Sequence, residues 1–298
     1  MNHYSINFEL YKIFYYAASS LNFSKAASTL HVTQSAVSQA IKSLETQLGI
    51  NLFYRNGRNI KLSYEGEILY QHVEKAFNFI RSAEHSMNSI RVLDEGTVFI
   101  GASDTITRYF LMPSIKAFHQ DYPKVKIVIN NRPSPRSVEK LSKGEIDLAI
   151  VNISPNQSYE GLDLFTLTSL EHIFISKTPL APKKHALGEL SQYPLICLET
   201  KSTTRRILET HYAKYNVKLT PAFEFGSFDV ILEAVNADMG IGFVPRQIVT
   251  EALNLEKCFE IKTSQALPSI DIGILTNQNK PLSIAAQTYL ERLKNTPL

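Results

Sequence analysis

Cysteine is scarce. Cys197 and Cys258 are the only two in 298 residues, too few for a disulfide framework. Each sits among apolar neighbours (Leu195, Ile196 and Leu198 for one, Phe259 for the other), the setting of buried free thiols in a reducing compartment. No run approaches the roughly 18 consecutive apolar residues of a membrane span. Glu9 and Lys12 interrupt the N-terminal stretch and no small-residue cleavage site follows, so no secretory signal is read there and cytoplasmic residence is expected. Low-complexity tracts and short-period repeats are absent too.

The usual signatures of catalysis are equally lacking. The eight histidines show no HxxxH or comparable ligand spacing, and two cysteines 61 residues apart do not make a zinc site. Gly240-Ile241-Gly242 lacks the third glycine of a dinucleotide fingerprint, and no GxxxxGK[ST] loop or GxSxG elbow occurs. Neither a metal nor a cofactor is expected, and the chain is not read as an enzyme.

Acidic residues are missing from one place in particular. The formal net charge of +3 says little by itself, but none of residues 10–44 is Asp or Glu, where the chain's average would place about three. Lys12, Lys25 and Lys42 all fall in that gap, which suits a polyanionic partner.

What fills the gap is helical. Leu10, Phe14, Ala17 and Leu21 recur at i, i+4, i+7 and i+11, one face of a helix. Ser24 is read as the cap of a short second helix through Leu30, with Phe23 outside it as a hydrophobic staple. After a turn at His31 and Val32, Thr33 caps a third helix, in which Val37, Ile41, Leu44 and Leu48 repeat the same spacing and Gly49 supplies the C-terminal stop. The opposite face carries Ser35, Ser38, Gln39, Lys42 and Thr46, all able to hydrogen-bond and none acidic. Two short helices across a tight turn, the second with a small polar outer face, describe a helix-turn-helix. Gln34, Ser35, Ser38 and Gln39 suit base edges or phosphates, and Lys42 suits a phosphate. Asn56-Gly57 then marks a hairpin between apolar flanks, with Arg55, Arg58 and Lys61 crowding the turn as a basic wing.

From Ser63 onward one long helix is expected. Leu69, Val73, Ala76, Ile80, Ala83, Met87 and Ile90 are spaced 4, 3, 4, 3, 4 and 3, a heptad seam suited to a dimer. Burial of that stripe within its own chain is the alternative. Asp94-Glu95-Gly96 ends the helix, and strands alternate with helices from there on: Val98 to Ala102, Val125 to Ile129 and Leu148 to Val151 around two helical stretches. Ile173 to Ile175, Leu195 to Leu198, Ala222 to Phe225, Gly240 to Val244 and Ile270 to Leu275 continue the series, with helices at Arg205–Tyr215, Phe228–Ala237 and Ser283–Leu293. That rhythm implies a parallel α/β sheet, arranged as one large sheet or as two lobes.

Phe23-Ser24-Lys25-Ala26-Ala27, Thr33-Gln34-Ser35-Ala36-Val37-Ser38-Gln39, Leu44-Glu45, Leu48-Gly49, Leu52-Phe53, Arg55, Leu62-Ser63 and Glu65-Gly66 together resemble the N-terminal winged helix-turn-helix of LysR-type transcriptional regulators. More loosely, Gly101-Ala102-Ser103 with Thr105, Gly144 to Ile150, Ser202 to Arg205 and Gly240 to Pro245 are similar to that family's effector domain. The resemblance implies an α/β chain with an α-rich winged helix-turn-helix at residues 1–62, a dimerising linker helix at 63–93 and a two-lobed, periplasmic-binding-protein-like effector domain at 94–298. Ser24, Thr33, Gln34, Ser35, Ser38, Gln39, Lys42, Arg55 and Arg58 become the expected DNA contacts. Ser103, Thr105, Ser202, Thr203 and Thr204 become the expected effector contacts, with Arg132 and Asn152 as lesser candidates. Thr203 stands where many members have glycine, and Asp104 sits awkwardly beside an anion. A double-stranded operator with two half-sites, a small metabolite, a second copy of the chain and RNA polymerase are the partners implied.

Overall fold

The computed structural model of the chain describes residues 6–56, 59–89, 96–155 and 157–295. Two compact units result, residues 1–83 and 84–298. Arg58 and Ile90, and the side chains of Arg55 and Met87, lie outside the described residues.

The first unit holds α1 (Phe8–Ser20), α2 (Phe23–Leu30), α3 (Gln34–Leu48), the hairpin β1 (Phe53–Asn56) and β2 (Asn59–Leu62), and most of α4 (Tyr64–Ser89). The apolar periodicity sets the packing: Phe14, Ala17, Val37, Ile41, Leu44 and Leu52 are fully buried in one core. Each large side chain there contributes roughly 1.5–3 kcal/mol by leaving water. Thr33 caps α3, its hydroxyl accepting from the Ala36 amide at 3.2 Å, and Gly49 closes it with φ of 71°. The second helix starts differently from the sequence reading. Asn22 is its cap, accepting from the Lys25 amide at 3.0 Å, while Ser24 lies exposed inside the first turn and Phe23 is buried rather than stapling from outside. The amide oxygen of Asn accepts at this position as a Ser hydroxyl would, and burial of Phe23 decides which of the two sits at the boundary.

Hydrogen bonds lock the hairpin to its neighbours. Glu45, which ends the acid-free stretch, accepts from the amides of Leu52 and Phe53 at 2.8 and 3.2 Å. Ser63 donates to the Asn51 carbonyl at 2.7 Å and accepts from the Gly66 amide at 2.9 Å, capping α4. A Cβ on Gly66 would sit 2.1 Å from the Leu52 carbonyl oxygen, so this close approach admits only glycine.

The heptad stripe of α4 is divided between two uses. Leu69 and Val73 pack into the core of their own unit, joined by Tyr70 and Phe77, and Phe77 stacks on Tyr15 at 5.1 Å. Ala76, Ile80 and Ala83 remain exposed. The seam read as a single dimer contact is therefore partly an intrachain one, because Leu69 and Val73 join the core of their own unit while Tyr15 of α1 stacks on the neighbouring Tyr70 and Phe77.

In the second unit, β3 (Gly96–Ala102), β4 (Val125–Asn131) and β5 (Leu148–Asn152) run parallel in the order β4-β3-β5. Between β3 and β4 lie α5 (Asp104–Ile106), a π-helical turn (Thr107–Leu111) and α6 (Met112–Asp121), and α7 (Ser134–Ser142) joins β4 to β5. The chain then crosses on the long β6 (Leu162–Ser176) into α8 (Leu187–Leu190), β7 (Leu195–Leu198), α9 (Thr203–Lys214), β8 (Phe223–Phe225), α10 (Phe228–Asn236), β9 (Ile241–Pro245), α11 (Arg246–Asn254) and β10 (Phe259–Ile261). It returns on β11 (Ser269–Asn277) and closes with α12 (Ile284–Asn295) against β3. The parallel sheet expected from the sequence is a mixed one, parallel within each lobe and antiparallel where the lobes join. Strands β5, β11, β6 and β9 are antiparallel in succession, with β7 and β8 parallel beyond them.

This topology makes two lobes. One has cores on both faces of β4-β3-β5, and the other has cores on both faces of β8-β7-β9. Strand β6 pairs with β11 as far as Glu171, then with β9 from His172 onward, so His172 is the first residue past the crossing.

Candidate functional site

On α3 the outward face is chemically simple. Gln34, Ser35, Gln39, Lys42 and Thr46 are exposed, as are Thr33 and Ser24 nearby, while Ser38 is half-buried. The Ser35 hydroxyl lies 2.9 Å from that of Thr33. Val37, Ile41 and Leu44 anchor the opposite face so firmly that the polar one is presented on a rigid rod. The hairpin follows as read, with Asn56 paired to Asn59 across the two residues 57 and 58, and Arg55 paired to Ile60.

The two lobes of the second unit enclose a cleft of about 100 Å³. Its walls are strand ends and the helix starts that follow them: Ser103 and Thr105 after β3, Asn131 at the end of β4 and Ser134 after it, Asn152 at the end of β5, Ser202 and Thr203 after β7, and Ser227 after β8. Serine before a helix explains much of this composition. Ser103 accepts from the Ile106 amide at 3.4 Å, and Ser227 accepts from the Val230 amide at 3.5 Å. The N-terminal ends of α9 and α10 both open on the same cleft, where their free amides favour negative charge; α7 also starts there, but Pro135 has no N–H and the Arg136 amide already donates to the Pro133 carbonyl at 2.9 Å. Two carboxylates stand against that field, Asp104 and Glu199, and among the described lining residues no Lys or Arg offsets them. Asp104 accepts from the Asn131 side-chain amide at 2.5 Å.

Direct bonds span the lobes. Asn152 donates to the Thr204 hydroxyl at 3.2 Å. From the π-helical turn, the Tyr109 hydroxyl donates to Asp229 on α10 at 2.9 Å, and Arg108 pairs with the same carboxylate at 2.9 Å. Burial, with the Asp229 bond second, holds the Tyr109 hydroxyl above its usual pKa. Behind the cleft, the buried Arg205 fastens α9, donating to the Leu198 carbonyl at 3.0 Å and pairing with Glu209 and Glu224 at 3.0 Å each.

His172 lines the cleft and is buried, 2% exposed. Its Nδ1 lies 3.1 Å from the Leu170 carbonyl, and its ring stacks on Phe243 at 5.1 Å. Loss of hydration pushes its pKa down from 6.5 to about 4, only partly countered by the Leu170 bond. Below pH 6.5 the unfolded chain takes up this proton first. Stability is therefore lost as pH falls from 6.5 towards 4 and levels off below, by about 3 kcal/mol in all. The urea midpoint of the second unit, followed against pH, shows that loss in the native protein; in His172→Gln this component is gone.

The cleft gathers Ser103, Thr105, Asn152, Ser202 and Thr203 of the residues picked out from sequence. Thr204 lies just behind, holding Asn152. Arg132 is not among the lining residues: it is exposed, donates to the Asn131 carbonyl at 3.0 Å and faces a separate pocket with Arg136, Glu139 and Glu145. Alternation at the end of β4 explains this, since Asn131 takes the inward place and its successor turns away. Asn131, Ser134, His172, Glu199 and Ser227 were not singled out from sequence. The two serines carry a readable signal as residues opening helices; His172 carries none, because its place depends on which strands β6 joins.

Residues 8–67 match the family model described as a bacterial regulatory helix-turn-helix protein of the lysR family, and residues 92–297 match the LysR substrate binding domain. A probable RuBisCO transcriptional regulator of Chlorokybus atmophyticus is 25% identical over 280 residues, covering 90% of this chain and 88% of the relative. A full-length OxyR variant from Pseudomonas aeruginosa has a similar structure at TM-score 0.68 and 19% identity, over 97% of this chain and 94% of that one. CbnR in complex with its target DNA aligns at TM-score 0.65 and 16% identity, over 97% and 99% of the two chains.

Proposed function

The chain belongs to the LysR family of transcriptional regulators, DNA-binding and effector-responsive oligomers rather than enzymes, and on that premise we propose which of its residues do each task. Gln34, Ser35, Ser38 and Gln39 on α3 meet base edges and phosphates in the major groove. Thr33, Lys42 and Ser24 hold the backbone, and Arg55 and Arg58 of the wing reach phosphates or the minor groove. Ala76, Ile80 and Ala83, with Met87 and Ile90 beyond them, carry the dimer contact along the linker helix. Residues 1–62, 63–93 and 94–298 are the functional divisions.

Ser103, Thr105, Asn152, Ser202 and Thr203 hold a small effector between the lobes, and Thr204 orients Asn152. The effector acts by favouring one arrangement of the lobes, which changes the spacing or angle of the paired DNA-binding units. Coupling of that kind is limited by the effector's differential affinity for the two arrangements, about 1–3 kcal/mol in typical cases. The protein acts in the cytoplasm, where its DNA is, and touches RNA polymerase at the promoter.

The observation that carries the DNA reading is the exposed, acid-free face of α3 above a fully buried apolar one. Operator binding followed across a salt series tests it. Lys42→Ala is expected to weaken binding to all sequences alike and to lower the slope of log affinity against log salt by about one. A loss confined to a single base pair would instead make Lys42 a base reader.

A further inference from the structure

His172, at the floor of the effector cleft, carries a buried acceptor that nothing in its own chain meets. A carbonyl only accepts, so the 3.1 Å contact between His172 Nδ1 and the Leu170 oxygen puts the ring hydrogen on Nδ1. The ring is neutral, for burial disfavours its charged form. Nε2 is left with a lone pair, and it has no hydrogen-bonding partner. Phe243, stacked at 5.1 Å, and Phe228, tilted at 6.4 Å, fix the ring plane. Leaving such an acceptor buried and unmet is costly, and a ligand that meets it recovers that cost.

Two further acceptors, the carboxylates of Asp104 and Glu199, line the same cleft, while the N-terminal amides of α9 and α10 supply donors. A bare carboxylate would satisfy only the donors. We propose that the effector is a small hydroxy or amino acid, whose carboxylate meets the helix amides and whose hydroxyl or ammonium donates to His172 Nε2. This rests on the cleft being the effector site. Because His172 is the first residue past the crossing of β6, a bond to it ties the ligand to the junction of the lobes rather than to one wall.

The test uses the full chain and small acids in matched sets, each deoxy acid with its 2-hydroxy and 2-amino derivatives: propionate with lactate and alanine, succinate with malate and aspartate, and larger homologues. Heat-denaturation midpoints report binding by mass action. At least one hydroxy or amino acid is expected to bind, with its deoxy parent weaker by about tenfold or more. His172→Phe keeps a ring on Phe243 and should erase the preference, whereas His172→Gln, which retains an acceptor, should keep part of it. A deoxy acid that binds equally well, a preference that survives His172→Phe, or no binder in any set overturns the proposal. Binding that persists in Thr105→Trp, which fills the cleft, would instead overturn the cleft reading. Nitrogen NMR of the imidazole gives a check free of variants: hydrogen on Nε2 rather than Nδ1 would also overturn the proposal.

Discussion

Ser35→Glu is expected to abolish specific operator binding, by on the order of a hundredfold or more, while leaving the fold slightly more stable than before. Ser35 occupies the first turn of α3, exposed, with its hydroxyl 2.9 Å from that of Thr33. A carboxylate here would face phosphates and base acceptors, and like charges brought together at an interface cost several kcal/mol. The same carboxylate at a helix N-terminus is favourable to the helix itself by about 0.3–1 kcal/mol. Binding and stability therefore move in opposite directions, which separates lost recognition from lost structure. Fluorescence anisotropy on labelled operator and a thermal melt measure the two. Unchanged affinity would mean that another face of the unit meets DNA.

Lys280→Met should produce the largest loss of stability in the effector unit. Lys280 and Asp147 form a buried pair at 3.0 Å, their side chains 5% and 8% exposed. The ammonium also donates to the carbonyls of Gly144 and Ile146 at 3.0 and 3.2 Å, and Asp147 accepts from the Phe99 amide at 2.9 Å. Removing the cation strands a carboxylate inside the lobe, at about 3–5 kcal/mol, a large share of the roughly 5–15 kcal/mol that holds a typical domain folded. Adding Asp147→Asn removes the stranded charge and is expected to recover much of the loss. Urea unfolding resolves these steps, and the transition of the helix-turn-helix, which has its own core, should not move. A loss below about 1 kcal/mol would show that the pair is not buried as described.

Local chemistry was legible in the sequence wherever one element carries the whole signal. Thr33, the i, i+4, i+7, i+11 series and Gly49 delimit α3 because a cap, a periodicity and a left-handed stop are all short-range. The hairpin is equally local. Where an answer depends on distant chain, the reading thins. Asn22 takes the place assigned to Ser24 because Phe23 is drawn into a core built from other helices. Val73 fits a heptad, yet the core of its own unit claims it. The first half of β6, from Leu162, shows no alternation of buried and exposed residues, with Asp163, Leu164, Phe165 and Thr166 exposed in succession, and its partners Ser269 to Asn277 lie far along the chain. The cleft hydroxyls were found because strand-to-helix turns advertise themselves with serine and threonine. His172 was not, since only the crossing of β6 brings it there.

Capture of genomic DNA by the purified protein at about physiological salt, followed by a footprint of the strongest site, tests the central claim most directly. Two related half-sites separated by about one helical turn or a multiple of it are expected, one for each recognition helix of a dimer. No enrichment over non-specific DNA, with and without small-metabolite extract, would contradict the account.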